Sequence, residues 1–255
     1  MIANSDREGS LDNSCKGKVA LVTGAAGNGL GRSIALTLAR EGAKVIINYR
    51  SSEKTALQIS TYITESGGTA IAVQADVFNK AGCTTLVDQA KKAFGNIDIA
   101  IIGPGGGWNP QAIDQMDPDE ALENITQETA PLLYLLPLLL PDMYKQNWGR
   151  IIGLATHPVK LSPAYTYNIG KAARMQALLL AQDQAWAHGV TMNVIAPGPV
   201  NGIPSLENAI EQSRHDPSWI ERNNVSPQDI AEGVAFLCSE AGQYINGCVL
   251  PYLFR

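Results

Sequence analysis

The sequence predicts a doubly wound α/β fold, one parallel sheet with helices on both faces, in a single domain over residues 16–255. Three observations carry this expectation. Short apolar runs alternate with helix-spaced segments through most of the 255 residues, and the connections between them are short. Runs such as Val45-Ile46-Ile47 and Ile99-Ala100-Ile101-Ile102 are apolar at consecutive positions, as strands covered on both faces must be. Parallel strands joined through helices cross over right-handed, so the alternation also sets the hand of the fold.

Along the chain, Met1–Ser14 is polar and mixed in charge, without the basic-then-apolar order of a secretory signal, and residues 1–15 are expected to be a flexible tail. Lys18–Thr23 (KVALVT) is a strand running into a glycine-rich turn, and Gly31–Glu41 carries helical spacing at Ile34, Leu36, Leu38 and Ala39. The rhythm continues with a strand at Lys44–Asn48, a helix over Ser52–Ser66, a strand at Ala70–Gln74, a helix over Lys80–Phe94 and a strand at Ile97–Ile102. The second half adds a helix over Pro118–Gln146, a strand at Arg150–Ala155, a helix over Tyr167–His188 and a strand at Val190–Ile195. Within the first of these helices, PLLYLLPLLLP (Pro131–Pro141) is about half the length of a membrane span and is interrupted by Pro137, so it reads as a buried helix. After Pro197 the period is lost, and residues 199–225 are expected to form a substrate lid. Ser226-Pro227-Gln228-Asp229 then has the form of an N-cap followed by proline at the first helical position, opening a helix through Leu237.

Composition narrows the function classes. With 45% hydrophobic and 17% charged residues the chain is a soluble globular protein rather than a disordered one. Lys and Arg number 19 against 24 Asp and Glu, a net charge of -5, so no basic field exists to hold nucleic acid. Cys15, Cys83, Cys238 and Cys248 form no C-x-x-C pair and have no nearby histidine, so reduced thiols are expected, with no metal site. The absence of targeting signals leads to the expectation of a cytoplasmic protein with no membrane partner.

Two motifs carry chemistry. Thr23-Gly24-Ala25-Ala26-Gly27-Asn28-Gly29-Leu30-Gly31 lies between the first strand and first helix, where glycines let backbone N–H groups approach a pyrophosphate at a helix N-terminus. At the end of the second strand, Asn48-Tyr49-Arg50-Ser51-Ser52 offers no carboxylate for a ribose 2′-hydroxyl, whereas Arg50 and the serines suit a 2′-phosphate. NADP(H) is therefore expected over NAD(H), the alternative being that Arg50 is only a solvated charge. Tyr167 and Lys171 are four residues apart, on one helical face, and a cation near a phenol favours phenolate. Such a phenol exchanges a proton with an alcohol or carbonyl oxygen near neutral pH.

Together with Asp76-Val77 after the third strand and Asn193–Gly198 (NVIAPG), these motifs resemble the short-chain dehydrogenase/reductase family over residues 17–250. The resemblance implies a Rossmann-type domain that moves hydride between nicotinamide and a carbonyl or secondary alcohol carbon. It implies Tyr167 as acid/base and Lys171 as the residue that holds the nicotinamide ribose and depresses the tyrosine pKa. Gly24, Asn28, Gly29 and Leu30 become cofactor contacts in the turn, and Tyr49, Arg50 and Ser51 at the second strand. Asp76 and Val77 would meet the adenine, and Pro197, Gly198 and Val200 would flank the nicotinamide. The expected activity is NADP(H)-dependent carbonyl reduction, and the alternative is an NADP(H)-binding sensor or subunit with impaired hydride transfer. A homo-oligomer, tetramer or dimer, is expected through the helices at Pro118–Gln146 and Tyr167–His188.

The sequence departs from the family pattern in four places. One additional residue separates Gly24 from Gly29. The usual N-N-A-G is replaced by Ile102-Gly103-Pro104-Gly105, which removes two bracing amides and leaves Gly103 and Pro104 as backbone candidates for the cofactor. Thr156 stands where the family has a catalytic serine, with a loop-capping hydroxyl as the alternative. Glu128 stands where an asparagine joins a proton relay, with Asn124 as the counterpart under a shifted alignment. His157 reads as a surface residue, Tyr165 as pocket lining and Trp108 as a wall of the substrate cleft.

Overall fold

The computed structural model describes residues 13–108, 110–157, 164–200, 202–203, 205–214 and 225–252. Among the described residues seven strands and seven α-helices follow one another, alternating as far as β6: β1 (Val19–Val22), α1 (Leu30–Arg40), β2 (Lys44–Tyr49), α2 (Glu53–Glu65), β3 (Thr69–Gln74), α3 (Lys80–Phe94) and β4 (Ile99–Ile102). They continue as α4 (Pro118–Lys145), β5 (Gly149–Leu154), α5 (Tyr165–Trp186), β6 (Val190–Pro197), α6 (Leu206–Ser213), α7 (Pro227–Cys238) and β7 (Val249–Tyr252). The strands form one parallel sheet in the order β3-β2-β1-β4-β5-β6-β7.

The predicted two-faced burial follows the pleat. Ala20 and Val22 of β1, with Ile99 and Ile101 of β4, face one core beneath α1, α2 and α7. Val19, Leu21, Ala100 and Ile102 face the other, beneath α3, α4 and α5. Helix α1 is buried at seven consecutive positions, Arg32–Leu38, because it packs on the sheet and against α7, α6 and α2. Its Arg40 makes a bidentate pair with Glu232 of α7 at 2.8 Å for each oxygen.

The strand order runs outward from β1 to β3 on one side and from β4 to β7 on the other. The chain therefore leaves β1 and β4 in opposite directions, and a crevice opens at their carboxyl ends, where ligands bind in sheets of this kind. Thr23 pins that crevice. Its Oγ1 donates to the Ile101 carbonyl at 2.9 Å and accepts from Gly103 N–H at 3.1 Å.

Three expectations are corrected. The flexible tail does not extend to residue 15, because Cys15 is fully buried and its N–H donates to the Glu41 carbonyl at 2.9 Å. The lid segment 199–225 is not aperiodic throughout, since α6 forms within it, capped by Ser205 accepting from Asn208 N–H. Helix α5 starts at Tyr165 rather than Tyr167, so the Tyr-Lys pair lies wholly inside it. Residues 1–12, 158–163 and 215–224 lie outside the described residues. Among the described residues the four cysteines are unpaired, and no helix is long and apolar enough to cross a membrane.

Leu178 of α5 is fully buried, and its Cδ1 lies 2.4 Å from where a Cβ on Gly153 would sit, so β5 carries glycine to seat it. Leu178→Ala is expected to cost about 3 kcal/mol, read as a lower urea midpoint with unchanged slope.

Candidate active site

The crevice holds two adjoining cavities that share Gly24 and Pro104, one of about 650 Å³ and one of about 280 Å³. The larger is lined by Gly24, Gly29 and Leu30 of the turn, by Gly103 and Pro104, and by Thr156, Tyr167 and Lys171. Pro197, Gly198 and Val200, at and beyond the end of β6, complete its other wall. The smaller is lined by Tyr49, Arg50, Ser51, Asp76 and Val77. Asn28 lines neither cavity. It is exposed, with its carbonyl beside Gly202.

The glycine turn is built for close approach. Gly24 has φ +62°, and a Cβ there would lie 2.7 Å from Pro104 Cγ. A Cβ on Gly31 would lie 2.8 Å from the Gly24 carbonyl oxygen. The N-cap of α1 is Gly29, which has no side chain to satisfy the first-turn N–H groups, and no acidic residue occupies that turn. Unsatisfied donors at the positive end of a helix dipole are an anion seat, so this donor set fits a pyrophosphate. Asn48, which the sequence marked only as a strand end, holds the turn. Its Oδ1 accepts from Gly24 N–H at 3.2 Å and its Nδ2 donates to the Ala75 carbonyl at 3.0 Å, joining β1, β2 and β3 at their carboxyl ends.

At the smaller cavity, Arg50 is exposed, with its guanidinium 5.3 Å from the Phe78 ring centroid, within cation–π range. Asp76 Oδ1 accepts from Phe78 N–H at 3.0 Å, which shapes the loop after β3.

At the larger cavity, Tyr167 and Lys171 stand one helical turn apart, with Lys171 Nζ 5.2 Å from the Tyr167 ring centroid. Trp108 meets the Tyr167 ring edge-on, at 5.4 Å between centroids and 75° between planes. Thr156 follows β5, and its hydroxyl donates to the Pro197 carbonyl at 3.4 Å while the group lines the cavity. His157 does not line the cavity, and its N–H donates to the same carbonyl at 3.2 Å. The reading of Tyr165 as pocket lining is corrected: it is 44% exposed and outside the cavity. Residues two apart on a helix face different ways, so the placement of Tyr167 sends Tyr165 outward.

Behind Lys171 lies a buried cluster that the sequence only half revealed. Glu128 Oε2 is 3.1 Å from Lys171 Nζ and 3.1 Å from an Arg174 terminal nitrogen. Glu128, not Asn124, is therefore the α4 residue that faces Lys171, whereas Asn124 Oδ1 lies 2.8 Å from where a Cβ on Gly106 would sit. Arg174, fully buried, donates to the carbonyls of Glu128 at 2.7 Å, Gly103 at 2.8 Å and Leu154 at 2.9 Å, and to that of Pro104. This guanidinium braces the ends of β4 and β5 in place of the amides missing from Ile102-Gly103-Pro104-Gly105. Sequence reasoning passed over Arg174. Its only signal was an arginine three positions after Lys171, on the same helical face.

The electrostatics follow from burial and this cluster. Lys171 is pushed down to about 8, foremost by burial and then by Arg174, against the opposing pull of Glu128. The Tyr167 phenol is held above its ordinary value by burial and then by the Glu128 carboxylate, with Arg174 acting the other way. The expectation of a depressed phenol is thus corrected, because desolvation and a buried carboxylate outweigh Arg174.

Comparison with known proteins agrees with this layout. A family model described as enoyl-(acyl carrier protein) reductase matches residues 24–252. A probable tetrahydroxynaphthalene reductase of Zymoseptoria tritici is 32% identical over 92% of each chain. A 1,6-dihydroxycyclohexa-2,4-diene-1-carboxylate dehydrogenase of Acinetobacter baylyi is 30% identical over 92% of this chain and 94% of its own. Among solved structures, a 7α-hydroxysteroid dehydrogenase complexed with NADH and 7-oxo glycochenodeoxycholic acid superposes with a TM-score of 0.80 at 27% identity, over 94% of each chain. A short-chain dehydrogenase of Burkholderia cenocepacia in complex with NADP gives 0.78 at 25% identity, over 94% of this chain and 97% of that one. With a crevice between β1 and β4, a glycine turn opening α1 and relatives of this kind over nearly its whole length, the chain belongs to the short-chain dehydrogenase/reductase family of oxidoreductases.

Proposed function

We propose that the chain is an NADP(H)-dependent reductase that converts a carbonyl to a secondary alcohol, with Tyr167 as the acid. The observation that carries this reading is the placement of Tyr167 and Lys171 one turn apart in a cavity continuous with an uncapped glycine turn. When bound, the nicotinamide supplies the hydride that reaches the carbonyl carbon. The chain supplies the proton: the Tyr167 phenol, kept protonated by burial and Glu128, gives it to the substrate oxygen. Thr156 donates a second hydrogen bond to that oxygen, and Lys171 holds the ribose hydroxyls and stabilises the phenolate left behind. The reductive direction follows from the cofactor choice, since a reduced NADPH pool drives carbonyl to alcohol.

Support for NADP(H) over NAD(H) comes from Arg50 and Ser51 in the smaller cavity, where a 2′-phosphate would find a cation and a hydroxyl. A cyclic carbonyl substrate is favoured by the Trp108 ring set edge-on beside Tyr167, and by relatives named for naphthalene and cyclohexadiene compounds. Pro199 and Val200, where the expected lid begins, line the cavity, and residues 201, 204 and 215–224 of that segment lie outside the described residues. Leu133 of α4 and Leu180 of α5, 57% and 76% exposed, support pairing with further copies of the chain through these helices. A cytoplasmic location completes the reading.

Three substitutions test it. Tyr167→Phe should lower turnover on the order of a hundredfold or more while leaving NADPH affinity, read by calorimetry, nearly intact; unchanged turnover on a panel of cyclic ketones refutes the acid assignment. Arg50→Ala should weaken NADPH binding about tenfold and leave NADH binding alone, and equal losses for both would remove the 2′-phosphate reading. Thr156→Val should cost about tenfold or more in kcat, with Thr156→Ser restoring it; if Val and Ser behave alike, the hydroxyl only caps the loop. NADPH binding with no turnover by the unaltered chain across the panel would favour the sensor or subunit reading.

A further inference from the structure

Glu128 takes no part in the proton transfer proposed above, yet the fold builds a seat for it. The residue is 1% exposed. A Cβ on Gly105 would lie 2.1 Å from the carboxylate, and one on Gly170 would lie 2.6 Å from its Cβ and Cγ, so two glycines clear the space. Among the described residues the carboxylate is held by its two cations, Lys171 and Arg174, at 3.1 Å each. A buried carboxylate beside a lysine alone would cancel the positive charge that the phenol needs. Arg174 restores it. Two cations and one anion leave a single net positive charge behind Tyr167, as a lone lysine would, and four backbone carbonyls fix the added guanidinium in place.

We propose that Glu128 and Arg174 are a matched pair of positioning residues that hold Lys171 from behind and jointly set the charge that Tyr167 feels. Glu128 favours the protonated phenol and the protonated lysine, and Arg174 opposes both. Among the described residues lining the larger cavity, Tyr167 and Lys171 are the only ionisable side chains. The other groups brought there, Trp108, Thr156 and the carbonyls at the ends of β4 and β5, are uncharged. The two members of the pair must therefore act with opposite sign. The kinetic consequence rests on Tyr167 being the acid, whereas the charge coupling does not.

The test is a pH titration of the Tyr167 phenol in the full chain, read as phenolate absorbance after subtracting the matching Tyr167→Phe protein. Glu128→Gln should move the midpoint down by about one pH unit and Arg174→Met should move it up by a similar amount. The double variant should return close to the original value, the sum of two opposed charge shifts of similar size, whereas a merely structural role would leave the disturbances of the two single variants to accumulate. With a turnover assay, the alkaline limb of kcat should move in the same directions. A midpoint unmoved by Glu128→Gln, or one moved the same way by both single variants, overturns the proposal. If Arg174→Met fails to fold, Glu128→Gln, which keeps the size and the Arg174 braces, decides it alone. Opposed shifts in a chain without turnover would support this inference and remove the reductase reading.

Discussion

The Arg174 guanidinium is bonded to carbonyls from the ends of β4 and β5, from the Pro104 loop and from α4, with no exposure to solvent. The crevice walls depend on this interaction. Gly103, which follows β4, and Leu154, which ends β5, lie just beyond the β4–β5 pairing, whose last pair is Ile102 with Gly153. Buried carbonyls without donors would each cost about 1–3 kcal/mol. A planar guanidinium with five donors satisfies several acceptors at once, and a lysine cannot replace it there. Its charge would be prohibitive in isolation, and the Glu128 carboxylate at 3.1 Å makes it tolerable.

The same logic recurs along the carboxyl edge of the sheet. Thr23 ties the end of β1 to β4, and Asn48 ties β2 to the glycine turn and to the end of β3. Both are small polar side chains at the carboxyl ends of their strands, and both are buried. Each closes backbone groups that the sheet ladder leaves open where the strands diverge. The rigid rim that results lets one side of the crevice present glycine N–H groups and the other present Tyr167 and Lys171 with fixed separation. A site built on strand ends and the first turns of helices holds its geometry better than one carried by loops alone.

Much of this was legible in order. The alternation of strands and helices, the glycine turn, the N-cap at Ser226 and the Tyr-Lys spacing are local patterns, each decided within about ten residues by periodicity or turn chemistry. The first six strands and the helices apart from α6 stand within a few residues of their expected positions. Helix α6 escaped because it is only eight residues long and buries little beyond Ala209 and Ser213, and it is held by packing on α1 and α7. The buried Cys15 escaped because its partner, the Glu41 carbonyl, belongs to another element.

By itself, then, the sequence determined the architecture and the edge of the sheet at which the crevice opens, because both follow from short-range spacing and from a topology that admits one binding edge. The tertiary structure decided the electrostatics. Glu128 and Arg174 lie 46 positions apart and meet only when α4 and α5 pack side by side. The direction of the Tyr167 shift is a sum over burial, a carboxylate and a guanidinium, and no one segment contains that sum. Charge effects inside a protein depend on distance and desolvation, and both are properties of the packed chain rather than of its order.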